Sequence, residues 1–225
     1  MTIDIESLRG VSWLAELDEP ARFELSGAVE ENVARGAVIV RANEPSRAVF
    51  IVREGGVKEV QTTPEGKEVI LALHGPGDLF GDLAPWHDGG AAPAAAIALI
   101  QSKVLSVPRE SWERVLDAHP EMQRALRGQL ARRITDAWRL VRMLSRYTTE
   151  ARLKSALLLL AERWGQPREE GIEIALDLTH RTLADLAGAS REKVTRALGI
   201  LQQKGLVQVV RRRLVVPSLD RLVAE

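Results

Sequence analysis

The sequence predicts an α+β protein in three parts: a β-rich N-terminal half, one long central helix and a C-terminal winged helix-turn-helix. Three observations predict it. Between Val33 and Pro108 short apolar runs alternate with turn residues. From Pro120 to Tyr147 the apolar residues follow a heptad. From Leu178 to Val216 two short helical patterns meet at a glycine and lead into an alternating hairpin.

The elements follow in chain order. Asp18 can cap a short helix, with Pro20 in its first turn and Phe23, Leu25 and Val29 along it. Strands are then expected at AVIV (37–40), AVFIV (48–52), GVKEVQ (56–61), EVILAL (68–73), AAAIALI (94–100) and KVLSV (103–107). The breaks between them carry Asn43-Glu44-Pro45, Gly55-Gly56, Pro64-Glu65-Gly66, Gly75-Pro76-Gly77 and Asp88-Gly89-Gly90. Short strands at this spacing indicate a sandwich or barrel.

Pro108 closes the β region, and Arg109 to His119 reads as a short helix carrying Trp112, Val115 and Leu116. From Pro120 to Tyr147 only Gly128 interrupts the helical pattern. Leu130, Ile134, Ala137, Val141 and Leu144 are spaced 4, 3, 4 and 3 apart, the seam of a helix that pairs with another helix. Such a helix is longer than one small β domain can cover, which favours dimerisation over packing on its own domain. A further apolar helix runs from Glu150 to Trp164, ends at Gly165-Gln166-Pro167, and is followed by a short strand within Gly171–Leu178.

The stretch 178–216 carries the chemistry. Thr179 is placed to cap a helix with Leu183, Leu186 and Ala187 on its apolar face, and Gly188 sits at the tight turn. Ser190 caps the next helix, whose Val194, Ala197, Leu198 and Leu201 form the core stripe. Arg191, Glu192, Thr195 and Arg196 are left facing outward at the start of that helix. This is the geometry of a helix-turn-helix reading the major groove of duplex DNA. Arginine forks onto guanine O6/N7 and glutamate accepts from the cytosine amino group, so Arg191, Glu192 and Arg196 are candidate base readers. Thr179, Ser190, Thr195 and the wing-tip residues Arg211, Arg212 and Arg213 are candidate contacts to the DNA backbone.

Charge supports the assignment. The chain is formally neutral, with 31 Lys/Arg and 31 Asp/Glu, but the charges are segregated. Residues 1–118 hold 11 basic and 19 acidic residues, a net of −8, whereas 119–147 hold 7 and 2 and 148–225 hold 13 and 10, nets of +5 and +3. An acidic half joined to a basic half places nucleic acid at the basic end.

Other classes are excluded on chemistry. The chain has no cysteine, which removes disulfides, thiol nucleophiles, thiolate zinc and iron–sulfur clusters. The longest apolar run, Ala91 to Ile100, contains Pro93 and is about half of what a membrane span needs. MTIDIESLRG has no secretory pattern, so a soluble cytoplasmic protein without a membrane partner is expected. No P-loop, Gly-x-Ser-x-Gly or His-Glu-x-x-His occurs, and His74 and His87 lack the close spacing of a cupin-like metal site. Enzymatic activity, a metal and a bound cofactor are therefore not expected.

SREKVTRALGILQQKGLV (190–207) closely resembles the recognition-helix signature of the cyclic-AMP receptor protein/fumarate–nitrate regulator family. HGPGDLFGDL (74–83) resembles the family's effector-pocket entry, and LARRI (130–134) the middle of its dimer helix. The resemblance implies a cyclic-nucleotide-binding-like β-roll over 1–118, a dimerisation helix over 119–147 and a winged helix-turn-helix over 148–225. It implies a homodimeric transcription regulator, with activation as the family's usual mode, that contacts RNA polymerase and reads a palindromic TGTGA-like site. Arg191, Glu192 and Arg196 occupy the three main reading positions.

The pocket departs from the family pattern. Gly81, Asp82 and Leu83 match Gly-Glu-Leu with Asp for Glu, the residue that takes the ribose hydroxyl. The positions of the phosphate-binding Arg and its Ser/Thr neighbour fall on Ala92 and Pro93, and those of the adenine-contacting hydroxyls on Ala137 and Trp138. A buried phosphate without a charged partner loses about 1.5–3 kcal/mol of hydrogen bonding. Regulation independent of cAMP is therefore expected; filling of the pocket by Trp138 and the Ala-rich patch is one route to it. Gating by cAMP, by a less anionic effector or by haem on His74, His87 or His119 are the alternatives. A protein-interaction module and a metal-dependent cupin-like enzyme are more remote ones.

Overall fold

The computed structural model describes residues 25–66, 68–84, 90–210 and 213–224. They fall into two compact units, one of the described residues up to Gln61 together with Leu71–Asp136, the other of Thr62–Ile70 together with those from Ala137 onward.

The first unit holds a roll of two four-stranded sheets. In order along the chain its strands are β1 (Val29–Val33), β2 (Val38–Val40), β3 (Ala48–Glu54), β4 (Val57–Thr62), β5 (Glu68–His74), β6 (Leu79–Phe80), β7 (Ala95–Ala98) and β8 (Ser102–Pro108). One sheet has the order β1-β8-β3-β6 and the other β2-β7-β4-β5. Strand β3 shows why its sequence is uniformly apolar. Val49 and Ile51 join a core with Leu105, Val107, Trp112 and Val115, while Phe50 and Val52 join another with Val57, Phe80, Ala96 and Val104. Both faces of this strand are buried, so alternation is lost. Helix α1 (Arg109–Ala118) closes one face with Trp112, Val115 and Leu116, as its spacing predicts.

The expected helix from Asp18 is corrected at its C-terminal end. Residues 18–24 lie outside the described residues, Leu25–Gly27 form a single 3-10 turn, and Val29 already belongs to β1. This strand pairs with β8 from Val29↔Ser106 to Val33↔Ser102. Its sequence, VEENV, is largely exposed and lacks the apolar run that marks the other strands. The dipeptide β6 was also missed, being too short to carry a period.

Helix α2 (Pro120–Leu144) has 25 residues and is about 37 Å long. It carries two stripes. Met122, Leu126, Gln129, Arg133, Asp136, Leu140 and Met143, spaced four and three apart, are buried or half-buried. The heptad seam lies on another face: Leu130 is half-buried, Ala137 and Leu144 are exposed, and Ile134 and Val141 keep 52% and 67% of their surface.

In the second unit, α3 (Thr149–Trp164) starts at Thr148, whose hydroxyl accepts from the Ala151 N–H at 3.1 Å. It buries Leu153, Ala156, Leu157 and Leu160. After it, Gly165–Arg168 does more than end the helix: it forms β9, which pairs with β10 (Gly171–Ile174). Pro167 is tolerated there because β9 is the edge of the sheet β11-β12-β10-β9. Helices α4 (His180–Ala187) and α5 (Arg191–Gln203), strands β11 (Gln208–Val210) and β12 (Arg213–Val216), and a terminal helix α6 (Leu219–Ala224) complete it. The sequence patterns did not reveal α6.

Candidate nucleic-acid interface and effector region

Two capped helices meet at a turn that requires glycine. The Thr179 hydroxyl accepts from the Thr182 N–H at 3.0 Å and sets the start of α4. Gly188 ends α4 at φ +59° and ψ +40°, with its N–H turned back to the carbonyls of Ala184 and Asp185. A Cβ there would lie 2.9 Å from Leu144 Cδ2, so strain and contact both oppose any larger residue. The Ser190 hydroxyl accepts from the Lys193 N–H at 3.4 Å and starts α5.

Helix α5 buries Val194, Ala197, Leu198 and Leu201. Arg191, Glu192, Thr195 and Arg196 are all exposed, at spacings that place them on one side. The own N–H of Glu192 and the Ser190 hydroxyl hold its carboxyl below the usual carboxylate range, so it presents an acceptor. The chemistry is two guanidinium forks flanking one carboxylate, at the N-terminal end of a helix.

The expected backbone contacts are partly committed inside the fold. Thr179 and Ser190 accept from backbone N–H groups as caps. Thr195 Oγ1 lies 2.8 Å from His180 Nδ1, linking α4 to α5. Sequence reasoning passed over His180, because no local pattern relates residues 15 apart. At the wing, Val210↔Arg213 closes the β11–β12 hairpin and Arg213 is half-buried. Arg211 and Arg212 lie outside the described residues.

The effector region is built differently. Gly81 turns at φ +75°, where a Cβ would press to 3.0 Å on Phe50 Cδ2. The turn delivers Asp82 into the interior, 4% exposed, where it pairs with Arg133 of α2. Arg133 Nη2 also lies 3.3 Å from Glu59 Oε2 on β4. His74, at the end of β5 and 1% exposed, brings Nε2 to 3.1 Å from the same oxygen without hydrogen-bond alignment. Burial pushes the Glu59 carboxyl up, but His74, the charge of Arg133 and the Gly81 N–H outweigh it and hold it below the usual range. Burial pulls Arg133 down, and Asp82 and Glu59 more than restore it.

The remaining expected pocket residues do not join this cluster. Ala92 is buried and Pro93 half-buried, with the Pro93 carbonyl accepting from Gln61 Nε2 at 2.9 Å. Leu83 and Ala137 are exposed. Trp138 is 69% exposed. The polar interior around Asp82 is occupied by Arg133 instead. His74 is committed to Glu59 and packs 5.5 Å, centroid to centroid, from Phe80; His119 lies 3.2 Å from Glu121; His87 is outside the described residues. Among the described residues no helix is long and apolar enough to cross a membrane, and no three His, Cys, Asp or Glu side chains are placed to hold a metal.

Comparison with known proteins gives a consistent picture. A family model for the cyclic nucleotide-binding domain matches residues 30–119, and one for the Crp-like helix-turn-helix domain matches 151–225. The chain is 32% identical over 175 residues to the cyclic AMP receptor protein of Thermus thermophilus, covering 78% of this chain and 77% of that one. It is 29% identical over 188 residues to the CRP-like cAMP-activated global transcriptional regulator of Mycobacterium tuberculosis, covering 84% of each. The solved structure of FixK2 from Bradyrhizobium japonicum superposes with a TM-score of 0.76 at 28% identity, over 88% of this chain and 96% of that one.

Proposed function

Because the chain belongs to the cyclic-AMP receptor protein/fumarate–nitrate regulator family of DNA-binding transcription regulators, we propose that it works as a homodimer on a palindromic TGTGA-like site, without a requirement for cAMP. The observation that carries the proposal is the exposed Arg191–Glu192–Arg196 face on a helix capped at Ser190. Arg191 and Arg196 fork onto guanines, Glu192 accepts from a cytosine amino group, and the wing arginines with the α4 N-terminus neutralise phosphates.

The apolar seam of α2 supports the dimer. Ile134, Val141 and Leu144 stand exposed in one chain beside Trp138, a surface that a second copy of the helix would bury. Pairing sets two recognition helices about 34 Å apart, one turn of duplex. The domains would divide at 1–118, 119–147 and 148–225, and activation would proceed by contact with RNA polymerase.

Independence from cAMP follows from the chemistry of the roll. Ala92 and Pro93 offer no charge to a phosphate, and the cation Arg133 already holds two carboxylates. A second reading, gating by cAMP, is favoured by the match of residues 30–119 to the cyclic nucleotide-binding family and by the retained acid Asp82. Fluorescence anisotropy on a labelled TGTGA palindrome separates the two. The proposal expects tight, steeply salt-dependent binding unchanged by cAMP. Binding that appears only with cAMP establishes the second reading.

A further inference from the structure

Thr195 stands on the reading face with its polar atom already engaged. It is exposed on α5, one turn after Arg191 and next to Arg196. Its Oγ1 lies 2.8 Å from Nδ1 of His180, the first residue of α4 and 15 positions away in sequence. A hydroxyl within a helix can turn back to the carbonyl four residues earlier. Thr135 of α2 does so, donating to the Ala131 carbonyl at 3.0 Å, and Ser155 of α3 donates to the Ala151 carbonyl at 3.1 Å. Among the described residues the Thr195 hydroxyl has no partner on its own helix and leaves it for the ring on α4. The link does not depend on the protonation of that ring. A hydroxyl donates to a bare Nδ1 and accepts from a protonated one, so both tautomers and the imidazolium keep the contact.

This decides what Thr195 presents to a ligand. Beyond Cβ a threonine has two ends, a hydroxyl and a γ-methyl. With the hydroxyl held toward α4, the methyl is the free end of an exposed side chain. Arg191 lies four residues earlier and therefore on the same side of the helix. One base edge in the major groove carries an apolar group, the C5-methyl of thymine, and a threonine methyl packs against it. A hydroxyl turned outward would bond to whichever base or phosphate it reached and carry little sequence information. The two orientations give different readouts, and His180 selects between them.

We propose that His180 is a positioning residue of the reading face: by holding the Thr195 hydroxyl, it makes the Thr195 γ-methyl a reader of one thymine in each half-site. The proposal rests on the reading of α5 as the helix that enters the major groove. It replaces the phosphate contact expected of Thr195 with an apolar contact to a base.

The test deletes one methyl group from either partner. Each thymine of the TGTGA half-site and of its complement is replaced in turn by uracil, in both half-sites, and affinity of the full-length protein is read by anisotropy at fixed salt. At one position uracil should weaken the unaltered protein about four-fold per half-site, the effect of one buried methyl group. Thr195→Ser keeps the hydroxyl but lacks the methyl, and should bind the thymine and uracil duplexes equally at that position. Thr195→Val keeps a methyl but lacks the hydroxyl, and should still discriminate. His180→Ala should lose most of the discrimination. His180→Asn, which sets a polar atom near the place of Nδ1, should restore part of it. The readout is a ratio between two duplexes, so a general loss of stability or affinity does not mimic it.

Three results overturn the proposal: no uracil effect at any position, an effect that survives in Thr195→Ser, or full discrimination in His180→Ala. An unaltered protein that ignores the TGTGA duplex counts against the operator reading alone. The same substitutions are then made in a duplex that the protein selects from a random pool. A protein that selects none overturns both.

Discussion

The winged helix and the roll both carry charged side chains at their functional positions, but they aim them in opposite directions. On α5, Arg191, Glu192 and Arg196 are exposed, backed by a stripe of buried Val, Ala and Leu. In the roll, Glu59, Asp82 and Arg133 are turned inward and neutralise one another. An outward set on a capped helix is exposed to an approaching polyanion. An inward, mutually paired set offers nothing to a small anion until one of its own contacts breaks. The same family architecture thus holds a site that is open at one end and one that is internally satisfied at the other.

The sharpest way to break this comparison is to deny the open end its second copy. Ile134→Glu with Val141→Glu should convert the proposed dimer of 24.8 kDa chains into a monomer in sedimentation. Loss of the second half-site should weaken binding to the palindrome by about 100-fold or more. An intact dimer would remove the seam from the interface. Next in size, Arg191→Ala should cost about 1–3 kcal/mol on the operator and relax preference at one base pair. Equal loss on random duplex would deny it a reading role. Replacing Arg211, Arg212 and Arg213 by alanine removes three cations from each wing of the proposed dimer, and should weaken all sequences alike and lower the salt slope by about five; an unchanged slope would take the wing off the phosphates.

Two smaller effects probe the scaffolds. Gly188→Ala should destabilise the winged helix by about 1–3 kcal/mol in a thermal melt, because φ is +59° and Leu144 stands in the way. An unshifted melt would show the turn relaxing freely. In the roll, the Glu59 carboxyl titrates below its unfolded value. Its ionised form therefore favours the fold above the ordinary carboxylate range, and that contribution is lost as pH falls through the lowered value. Glu59→Gln should flatten the acid limb of a melting-temperature profile. An acid limb of undiminished steepness would mean that the pairing does not stabilise the roll.

The two ends also differ in how far they could be read from sequence. Everything that shapes the reading face is local: Ser190, Gly188 and the spacing of Val194, Ala197, Leu198 and Leu201 lie within one stretch, so caps, turn and core stripe were all legible. The strand cores of β3, β4, β5 and β8 were legible for the same reason. The Arg133 cluster was not. Its members stand at 59, 74, 82 and 133, and only the folding of the roll brings them together. His74 could be judged as a lone histidine and Asp82 as a conservative replacement, but nothing in either segment names the other. Strand β1 was missed because VEENV lies exposed at a sheet edge, and β9 because Gly165 and Pro167 mark a break before they mark an edge strand. The second stripe of α2 was hidden by Gln129, Arg133 and Asp136, polar residues at core-facing positions whose partners are not neighbours in sequence.

The most direct test is anisotropy of a labelled palindromic TGTGA duplex at fixed salt, titrated with the unaltered protein in the absence and presence of cAMP. Tight binding with the same midpoint in both is the result predicted for an open reading face joined to an internally satisfied roll. Binding that requires cAMP would contradict it.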